Sequence, residues 1–351
     1  MAGHTKGGLI LVTGGAGFIG SNLVAHYLSR GRAVRIFDDL SRAGTEKNLD
    51  WLKAMGAPEL EVVIGDVRDY AEVHRAAADA DVIFHMAAQV AVTSSVVDPR
   101  QDFEVNALGT FNVLEAARES GRRPTLLFAS TNKVYGGMES AGVDLKESGY
   151  VYRDLPFGVS EEWPLDFHSP YGCSKGAADQ YVRDYARIYG LPTVVFRQSC
   201  IYGQRQFGNE DQGWVAHFVI SAEFGRRITI YGDGYQVRDV LHVDDLVAAF
   251  DLAVAGIDRV GGGVYNIGGG PGNAISLMWL LRLLEEELQR PVEIGFGDWR
   301  PGDQRVYVSD IRKAGAELGW SPRIDARSGI RQLVRWVREN RGLFDWAKAP
   351  Q

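Results

Sequence analysis

A glycine-rich turn between a short apolar segment and an amphipathic segment constrains the fold of this chain most. Residues 8–13 are almost wholly apolar and predict a buried strand, and residues 21–28 follow with helical periodicity. Gly14, Gly17 and Gly20 lie between them in a G-x-x-G-x-x-G pattern. Such glycines allow a tight turn, a close approach of backbone amides to a phosphate, and close packing of helix on strand. The pattern therefore predicts a dinucleotide diphosphate at the N-terminus of the first helix.

The second predicted strand ends in an acidic residue. Residues 33–37 form a mostly apolar segment that Asp38 follows directly. A carboxylate at this position accepts hydrogen bonds from the adenosine ribose hydroxyls of NAD and repels the 2′-phosphate of NADP. Arg42 lies close by in the sequence and weakens that selectivity. We therefore expect NAD rather than NADP as the cofactor.

Strand-like and helix-like segments alternate through the first half of the chain. Apolar runs at 61–65, 81–86, 125–129 and 193–197 predict further buried strands, and 99–120 predicts one long helix. This alternation predicts an α/β fold with a doubly wound parallel sheet of the Rossmann-like kind. Ligand sites in such folds lie at the carboxyl ends of the strands.

A second pattern follows the strand predicted at 125–129. Thr131 lies at its end, and Tyr171 and Lys175 are four residues apart on one face of a predicted helix. A nearby ammonium favours the ionised phenol, so we expect Lys175 to lower the pKa of Tyr171 from its ordinary value near ~10. The phenolate then accepts a proton from a sugar hydroxyl that Thr131 contacts. The Tyr-x-x-x-Lys spacing alone is also typical of a solvated helix face, and the neighbouring strand ends favour the catalytic interpretation.

The cofactor site is expected to include more than the glycine turn. Asp66 and Val67 end the third predicted strand and are placed to meet the adenine, and small residues after the strand at 81–86 let the backbone lie against the cofactor. Asn106, in the predicted long helix, either supports that backbone or bonds only locally. The residues predicted to bind NAD are Gly14, Gly17, Phe18, Ile19, Asp38, Asp39, Ser41, Arg42, Asp66, Val67, Ala87, Ala88, Gln89, Asn106, Tyr171 and Lys175.

The second half of the chain loses the regular alternation. At 351 residues the chain exceeds one ordinary domain, so we expect a cofactor-binding domain at 1–198 and a smaller α/β substrate lobe at 199–351, partly interleaved with it. Residues 137–169 are polar, aromatic and turn-rich, and predict an irregular insertion near the substrate. Arginines suit a diphosphate, and an aromatic ring stacks on a base. The residues predicted to bind substrate are Thr131, Asn132, Lys133, Ser199, Cys200, Gln206, Gln212, Gly213, Trp214, Arg238, Arg300 and Arg305.

Composition excludes several classes of function. A net charge of -7 argues against a nucleic-acid partner, which requires a basic surface. The apolar runs are shorter than a membrane span, and the first eight residues lack the apolar region of a signal peptide. Two cysteines make neither a disulfide framework nor a four-ligand zinc site, so no metal is expected. We expect a cytoplasmic protein with reduced thiols.

These motifs together resemble the extended short-chain dehydrogenase/reductase family, in its nucleotide-sugar branch. The resemblance covers nearly the whole chain and rests on the turn at 14–20, Asp38, Asp66-Val67, Thr131 with Val134-Tyr135-Gly136, Tyr171 with Lys175, and Tyr231-Gly232-Asp233-Gly234 with Arg238-Asp239. Within that branch, the stretches 130–136, 169–181 and 205–214 are similar to those of the CDP-paratose 2-epimerases, also called CDP-tyvelose 2-epimerases.

The resemblance implies a specific activity and leaves alternatives. It implies a CDP-hexose substrate, tightly bound NAD, inversion at C2 and a homo-oligomer, either dimer or tetramer. Related dehydratases place an acidic pair directly after the threonine, where this chain has Asn132 and Lys133, so dehydration is not expected. A UDP-hexose 4-epimerase, or another NAD-dependent sugar-nucleotide epimerase or reductase, would use the same three catalytic residues. A redox-sensing NAD-binding regulator would need neither Tyr171 nor Lys175.

Overall fold

The computed structural model describes residues 8–300 and 303–348. In chain order the strands are β1 Leu9–Thr13, β2 Val34–Asp38, β3 Leu60–Ile64, β4 Ala80–His85, β5 Thr125–Thr131, β6 Val143–Lys146, β7 Gly149–Tyr152, β8 Thr193–Gln198, β9 Cys200–Tyr202, β10 Ile228–Tyr231, β11 Val237–His242, β12 Val264–Ile267, β13 Ala274–Ser276, β14 Ile294–Gly297 and β15 Val306–Tyr307.

The helices surround these strands. They are α1 Phe18–Leu28, α2 Thr45–Ala54, α3 Tyr70–Ala77, α4 Val92–Val97, α5 Pro99–Phe103, α6 Gly109–Glu119, α7 Ser169–Tyr189, α8 Trp214–Phe224, α9 Val243–Ala255, α10 Ile257–Val260, α11 Leu277–Leu288, α12 Arg312–Leu318, α13 Ala326–Glu339 and α14 Asp345–Lys348. A π-helical turn, Glu104–Leu108, joins α5 to α6, and short 3₁₀ turns lie at Asn132–Tyr135, Pro271–Asn273 and Arg341–Leu343.

The central sheet confirms the predicted doubly wound architecture. Its seven strands lie in the order β12-β8-β5-β4-β1-β2-β3, and the pairs β1–β2, β1–β4, β2–β3 and β4–β5 are parallel. The strand order reverses between β1 and β4, where sheets of this type bind ligands at the carboxyl ends of their strands. The glycine turn follows β1 at this point, and the loop starting at Met86 follows β4.

Two compact units share the chain in an interleaved way. The first contains the chain up to Val134, Ser169–Arg197 and Val247–Tyr265, and the second contains Tyr135–His168, Gln198–Leu246 and the chain from Asn266 onward. One boundary between the two units lies between Arg197 and Gln198. Residues 247–265 return to the first unit because the chain there runs through α10 and into β12, the edge strand beside β8.

The segment predicted to be an irregular insertion is ordered in part. Within 137–169, strands β6 and β7 pair as an antiparallel hairpin that belongs to the second unit. The Tyr150 hydroxyl donates to Asp233 Oδ2 at 2.6 Å, and the Tyr152 hydroxyl donates to the Val306 carbonyl oxygen at 3.0 Å. These long-range contacts order the hairpin, and the sequence pattern, rich in turn residues, does not reveal them.

The helix predicted at 99–120 is continuous over 99–119 and contains one π-helical turn. Pro99 starts α5, with Asp98 accepting the Gln101 backbone N–H as its N-cap. The π-helical turn at Glu104–Leu108 then carries Asn106 before α6 begins. Single π turns occur often at functional sites.

Neither a membrane span nor a metal cluster is found in the described ranges. No helix there combines the length and the apolarity needed to cross a membrane. No group of three or more His, Cys, Asp or Glu side chains there could hold a metal ion.

A buried ion pair links α7 to β8 within the first unit. Arg197 Nε and Nη2 each donate to the Asp179 carboxylate at 2.9 Å, and both side chains are almost fully buried. Asp179 also accepts the Ser130 hydroxyl at 2.8 Å. Ser130 directly precedes Thr131, so this pair fixes the end of β5.

We predict that Arg197→Met destabilises the protein by about 3–5 kcal/mol, because it leaves the Asp179 charge buried and unpaired. Chemical denaturation followed by circular dichroism measures the free energy of unfolding. The matched control is Arg331→Met, which removes a largely exposed ion pair with Glu287 and should change stability little. Equal stability of the two variants would contradict the prediction.

Candidate active site

The glycine turn has room for backbone only. Gly14 has a φ of +66°, and a Cβ there would lie 2.6 Å from the Ala87 backbone nitrogen. A Cβ on Gly20 would lie 2.1 Å from the Gly14 carbonyl oxygen. Gly17 is the N-cap of α1 and supplies no side-chain cap, and the first turn of α1 carries no acidic residue. The N–H groups of this helix start, among them those of Phe18 and Ile19, therefore fit an anionic diphosphate.

Asp38 connects the end of β2 to the glycine turn. Its buried carboxylate accepts the Ala16 N–H at 2.9 Å and the Leu40 N–H at 2.8 Å. Burial raises the pKa of this carboxyl. A carboxylate has about four lone-pair directions, so Asp38 retains acceptor capacity for ribose hydroxyls. The predicted residues Asp39, Ser41 and Arg42 lie in the exposed loop that follows β2.

The loop after β4 is fixed by the π-helical turn. Asn106 Oδ1 accepts the Gln89 N–H at 2.9 Å, and Asn106 Nδ2 donates to the Gln89 carbonyl oxygen at 3.0 Å. The Ala87 N–H donates to the Thr13 hydroxyl at 3.3 Å. Of the two roles considered for Asn106, support of this backbone is the one seen. Ala87, Ala88 and Gln89 are all half-buried.

The end of β3 shows a partner that the sequence analysis did not identify. The Asp66 carboxylate pairs with Arg68, with a shortest contact of 2.5 Å, which lowers the pKa of Asp66. Val67 is buried, and its carbonyl oxygen accepts the Asn112 side-chain amide at 2.9 Å. The side chains of Asp66 and Val67 are therefore both engaged within the protein.

Thr131 and Tyr171 meet at the carboxyl end of β5. Tyr171 lies in the first turn of α7, and its hydroxyl shares a hydrogen bond with the Thr131 hydroxyl. Lys175 lies one turn further along the same face, with Nζ 4.2 Å from the centre of the Phe128 ring. All three side chains are buried. The structure thus places the three predicted catalytic residues together.

The predicted pKa of Tyr171 is wrong in direction. Burial raises it to about 12, and the hydrogen bond with Thr131 and the charge of Arg42 only partly oppose this rise. Burial also lowers the pKa of Lys175 to about 7. The helical spacing gave the shared face correctly, but both groups lie out of water, where each charged form is disfavoured. Lys175 therefore carries only part of its charge at neutral pH.

Asn132 and Lys133 form the 3₁₀ turn that directly follows Thr131. The Thr131 hydroxyl donates to Asn132 Oδ1 at 3.3 Å and accepts the Lys133 backbone N–H at 3.2 Å. Asn132 is buried, and Lys133 is half-buried. Neither residue supplies a carboxylic acid beside Thr131.

Several residues predicted to bind substrate lie together in the second unit. Trp214 starts α8, and its indole N–H donates to Cys200 Sγ at 3.4 Å. Gln206 is buried, and its amide nitrogen lies 2.7 Å from where a Cβ on Gly213 would be. The Ser199 hydroxyl donates to buried Asp239. Gln212 lies in the turn just before α8 and exchanges backbone hydrogen bonds with Asn209.

The three arginines predicted for the diphosphate have different surroundings within that unit. Arg238 is buried and donates to Asp303 Oδ1 at 2.6 Å. Arg300 lies over the Tyr231 ring, 3.9 Å from its centre, and donates to the Glu210 carbonyl oxygen. Arg305 is exposed, 5.4 Å from the centre of the Tyr150 ring.

Two polar residues beside the catalytic set were missed by the sequence analysis. Asp102 is buried on α5 and accepts the Ser174 hydroxyl at 2.5 Å and the Asn106 amide at 3.0 Å. Ser174 directly precedes Lys175. Asp102 lies four residues before Asn106, and this helical spacing was the sequence signal that could have placed the two side chains together.

Comparison with known families identifies the family to which this chain belongs. The sequence model of the NAD dependent epimerase/dehydratase family matches residues 10–268. The chain belongs to this family. The matched range runs from β1 through the glycine turn, Thr131, Tyr171 and Lys175, and it confirms the predicted family.

Relatives in this family act on different sugar nucleotides. The chain is 45% identical to the CDP-paratose 2-epimerase of Salmonella typhi over 335 residues, which covers 93% of this chain and 98% of that protein. It is 35% identical to the UDP-glucose 4-epimerase of Mycolicibacterium smegmatis, again covering 93% of this chain and 98% of that protein.

Solved structures of this family agree with the fold. The UDP-glucose 4-epimerase of Thermus thermophilus in complex with NAD aligns with a TM-score of 0.80 at 34% identity, over 95% of this chain and 99% of that one. The dTDP-glucose 4,6-dehydratase of Streptomyces venezuelae with NAD bound aligns with a TM-score of 0.84 at 32% identity, over 97% and 100%. NAD is accordingly the cofactor, as predicted, and the glycine turn of this epimerase/dehydratase fits it.

We predict that Asp38→Ala weakens NAD binding at least tenfold. The variant lacks the carboxylate that accepts hydrogen bonds from the ribose hydroxyls and from the Ala16 N–H of the glycine turn. Calorimetric titration of cofactor-free protein with NAD measures the dissociation constant. Asp50→Ala, an exposed change on α2, is the control and should leave it unchanged. Unaltered NAD affinity in Asp38→Ala would remove this carboxylate from the site.

Proposed function

We propose that the protein is an NAD-dependent epimerase that inverts C2 of a CDP-activated 3,6-dideoxyhexose through a transient 2-keto sugar. The grouping of Thr131, Tyr171 and Lys175 in one buried site carries the proposal that a sugar hydroxyl loses and regains a proton here. Similarity to the Salmonella typhi enzyme supports C2 and the CDP group. The amide of Asn132 and the cation of Lys133 disfavour dehydration, which needs an acid beside the threonine.

The residues of this site divide the proton transfer among them. Thr131 holds the C2 oxygen by a hydrogen bond, and Tyr171, as the phenolate, accepts the proton from that oxygen. Lys175, when charged, stabilises the phenolate and would hold the nicotinamide ribose of bound NAD. Bound NAD would accept the hydride from C2 and give it back and, while oxidised, would supply a positive charge that offsets the burial of the phenolate. Tyr171 returns the proton to the oxygen at the end of the cycle, so the protein is restored.

Inversion requires the keto sugar to present its other face before hydride would return to C2. We assign the diphosphate to Arg238, Arg300 and Arg305, since guanidinium groups bind phosphate through paired hydrogen bonds. We assign the nucleotide end to the cluster of Gln206, Gly213 and Trp214 in the second unit. A firmly held diphosphate lets the sugar turn without leaving the protein.

A 4-epimerase acting on a UDP-hexose is the second candidate. Similarity to two UDP-glucose 4-epimerases favours it, and the same three side chains would serve C4 in place of C2. A regulator without chemistry is disfavoured, because it has no use for Tyr171 hydrogen-bonded to Thr131 in a buried site.

We further propose a cytoplasmic homo-oligomer. Phe111 of α6 and Tyr181, Ile188 and Tyr189 of α7 are apolar or aromatic side chains that are well exposed within the first unit. Exposed apolar patches of this kind are typical of protein interfaces. The two free cysteines are in keeping with a reducing compartment.

We predict that Tyr171→Phe lowers kcat about 10²–10⁴-fold, because it removes the group that accepts and returns the proton. Steady-state turnover of the CDP-sugar measures this effect, and the NAD content of the purified variant shows whether the site is intact. Tyr70→Phe, at an exposed position on α3, is the matched control. Near-normal turnover by Tyr171→Phe would overturn the assignment.

We predict that deuterium placed at C2 of the CDP-hexose remains at C2 of the product, because hydride leaves and returns to the same carbon. NMR of the product reads both the label and the inverted stereocentre. A parallel incubation with UDP-hexoses tests the second candidate. Exchange of the label with solvent would indicate proton abstraction from carbon, and inversion at C4 would favour the 4-epimerase.

A further inference from the structure

The ammonium of Lys175 lies in a place that is unfavourable for a charge. The residue is about 3% exposed, and its Nζ faces the Phe128 ring, whose π face attracts a cation but carries no net negative charge. An isolated buried ammonium is strongly destabilising unless an opposite charge compensates for it. Among the described residues, no carboxylate forms a direct ion pair with Lys175, so the compensating charge acts at longer range.

Two buried carboxylates act on this ammonium, and one of them is already neutralised. Asp179 lies one turn after Lys175 on α7, but both its oxygens accept from the Arg197 guanidinium. Asp102, on α5, accepts hydrogen bonds from two neutral groups, the hydroxyl of Ser174 and the amide of Asn106. Its negative charge therefore has no cation of its own in the described structure other than Lys175.

Other titratable groups near Lys175 do not supply this charge. His85, on β4, is fully buried between the hydroxyls of Thr13 and Thr110, and its pKa is lowered to about 3, so it is neutral. Tyr171 is protonated in this structure, since its pKa is about 12. Arg42, which acts on Tyr171 from the loop after β2, is a cation.

The position of Asp102 gives it a mechanical as well as an electrostatic connection to the site. α5 and the π-helical turn both pack against α7. The Asp102 carboxylate accepts the hydroxyl of Ser174, the residue next to Lys175. It also accepts the side-chain amide of Asn106, which in turn donates to the Gln89 carbonyl oxygen. The Asp102 side chain thus connects α7 to the loop after β4.

We propose that Asp102 is a positioning residue of the proposed active site, where its buried carboxylate is the counter-ion that favours the charged form of Lys175. This inference deepens the proposed function and rests on it for its catalytic meaning. Burial raises the pKa of Asp102, and the charge of Lys175 partly opposes that rise. Burial lowers the pKa of Lys175, and the charge of Asp102 partly opposes that fall. Asp102 also raises the pKa of Tyr171, so the same carboxylate opposes the phenolate that Lys175 favours.

Loss of the Asp102 charge shifts the pKa values of Lys175 and Tyr171 in a direction that follows from these interactions. Without the negative charge at residue 102, the pKa of Lys175 falls below its value of about 7, and less of the lysine is charged at neutral pH. The pKa of Tyr171 falls as well, so both limbs of the pH–rate profile move to lower pH. A residue with only a structural role would lower the rate without moving the limbs.

The test is the titration of Lys175 in Asp102→Asn, which keeps the shape and a hydrogen-bond acceptor but removes the charge. Carbon-13 NMR of lysine-labelled protein, with Lys175 assigned from Lys175→Met, measures its pKa directly. We expect the acid dissociation constant of Lys175 to rise about tenfold or more. Asp98→Asn is the matched control on the same stretch, because Asn also caps a helix and this position is exposed. An unchanged pKa in a folded Asp102→Asn protein, or an equal shift in the control, would overturn the proposal.

A reciprocal measurement covers the case in which Asp102→Asn does not fold. In Lys175→Met, carbonyl NMR of aspartate-labelled protein should show a higher pKa for Asp102, and an unchanged value would contradict the pairing. Neither titration needs a sugar nucleotide, so both can succeed in a protein that does not epimerise CDP-hexoses. In that outcome the proposed function fails and the charge pairing stands. In an active protein, pH–rate limbs that stay in place in Asp102→Asn would refute the role in catalysis.

Discussion

Exclusion of water from the inner face of α7 governs the chemistry of this protein. Tyr171, Lys175 and Asp179 follow one another at helical spacing on that face, and all are buried. Desolvation disfavours the charged forms of Tyr171 and Lys175. The side chains on this face therefore depend on partners from other elements. Arg197 of β8 serves Asp179, and the hydroxyl of Thr131 serves Tyr171. The reactive properties of the motif are therefore set largely by residues outside it.

The parts of the site that depend on local spacing could be predicted from the sequence. Strand, glycine turn and helix follow directly from residues 8–28, and the acidic end of β2 follows from Asp38. The parallel sheet follows from the alternation of apolar runs, and the shared face of Tyr171 and Lys175 follows from helical periodicity. These features are each encoded within a few neighbouring residues, where period and residue type determine the outcome.

Features that join distant residues could not be predicted in this way. The hydroxyl of Ser174 meets Asp102 across 72 residues of sequence, and no periodicity relates them. The same holds for the return of 247–265 to the first unit and for the hairpin of β6 and β7, whose tyrosines bond to distant residues. The pKa of Tyr171 was predicted in the wrong direction for a related reason, since spacing reports which residues are neighbours but not how much water reaches them.

The π-helical turn at Glu104–Leu108 makes the number of residues in this part of the first unit critical. A π turn holds one residue more than an α turn, and each residue of a regular helix advances by about 100°. Loss of one residue here would restore a regular helix and rotate either α6 or Asn106 away from its neighbours. Homologous sequences that keep the hydrogen bonds between Asn106 and Gln89 should therefore tolerate insertions and deletions in nearby loops, but not between Pro99 and Gly109.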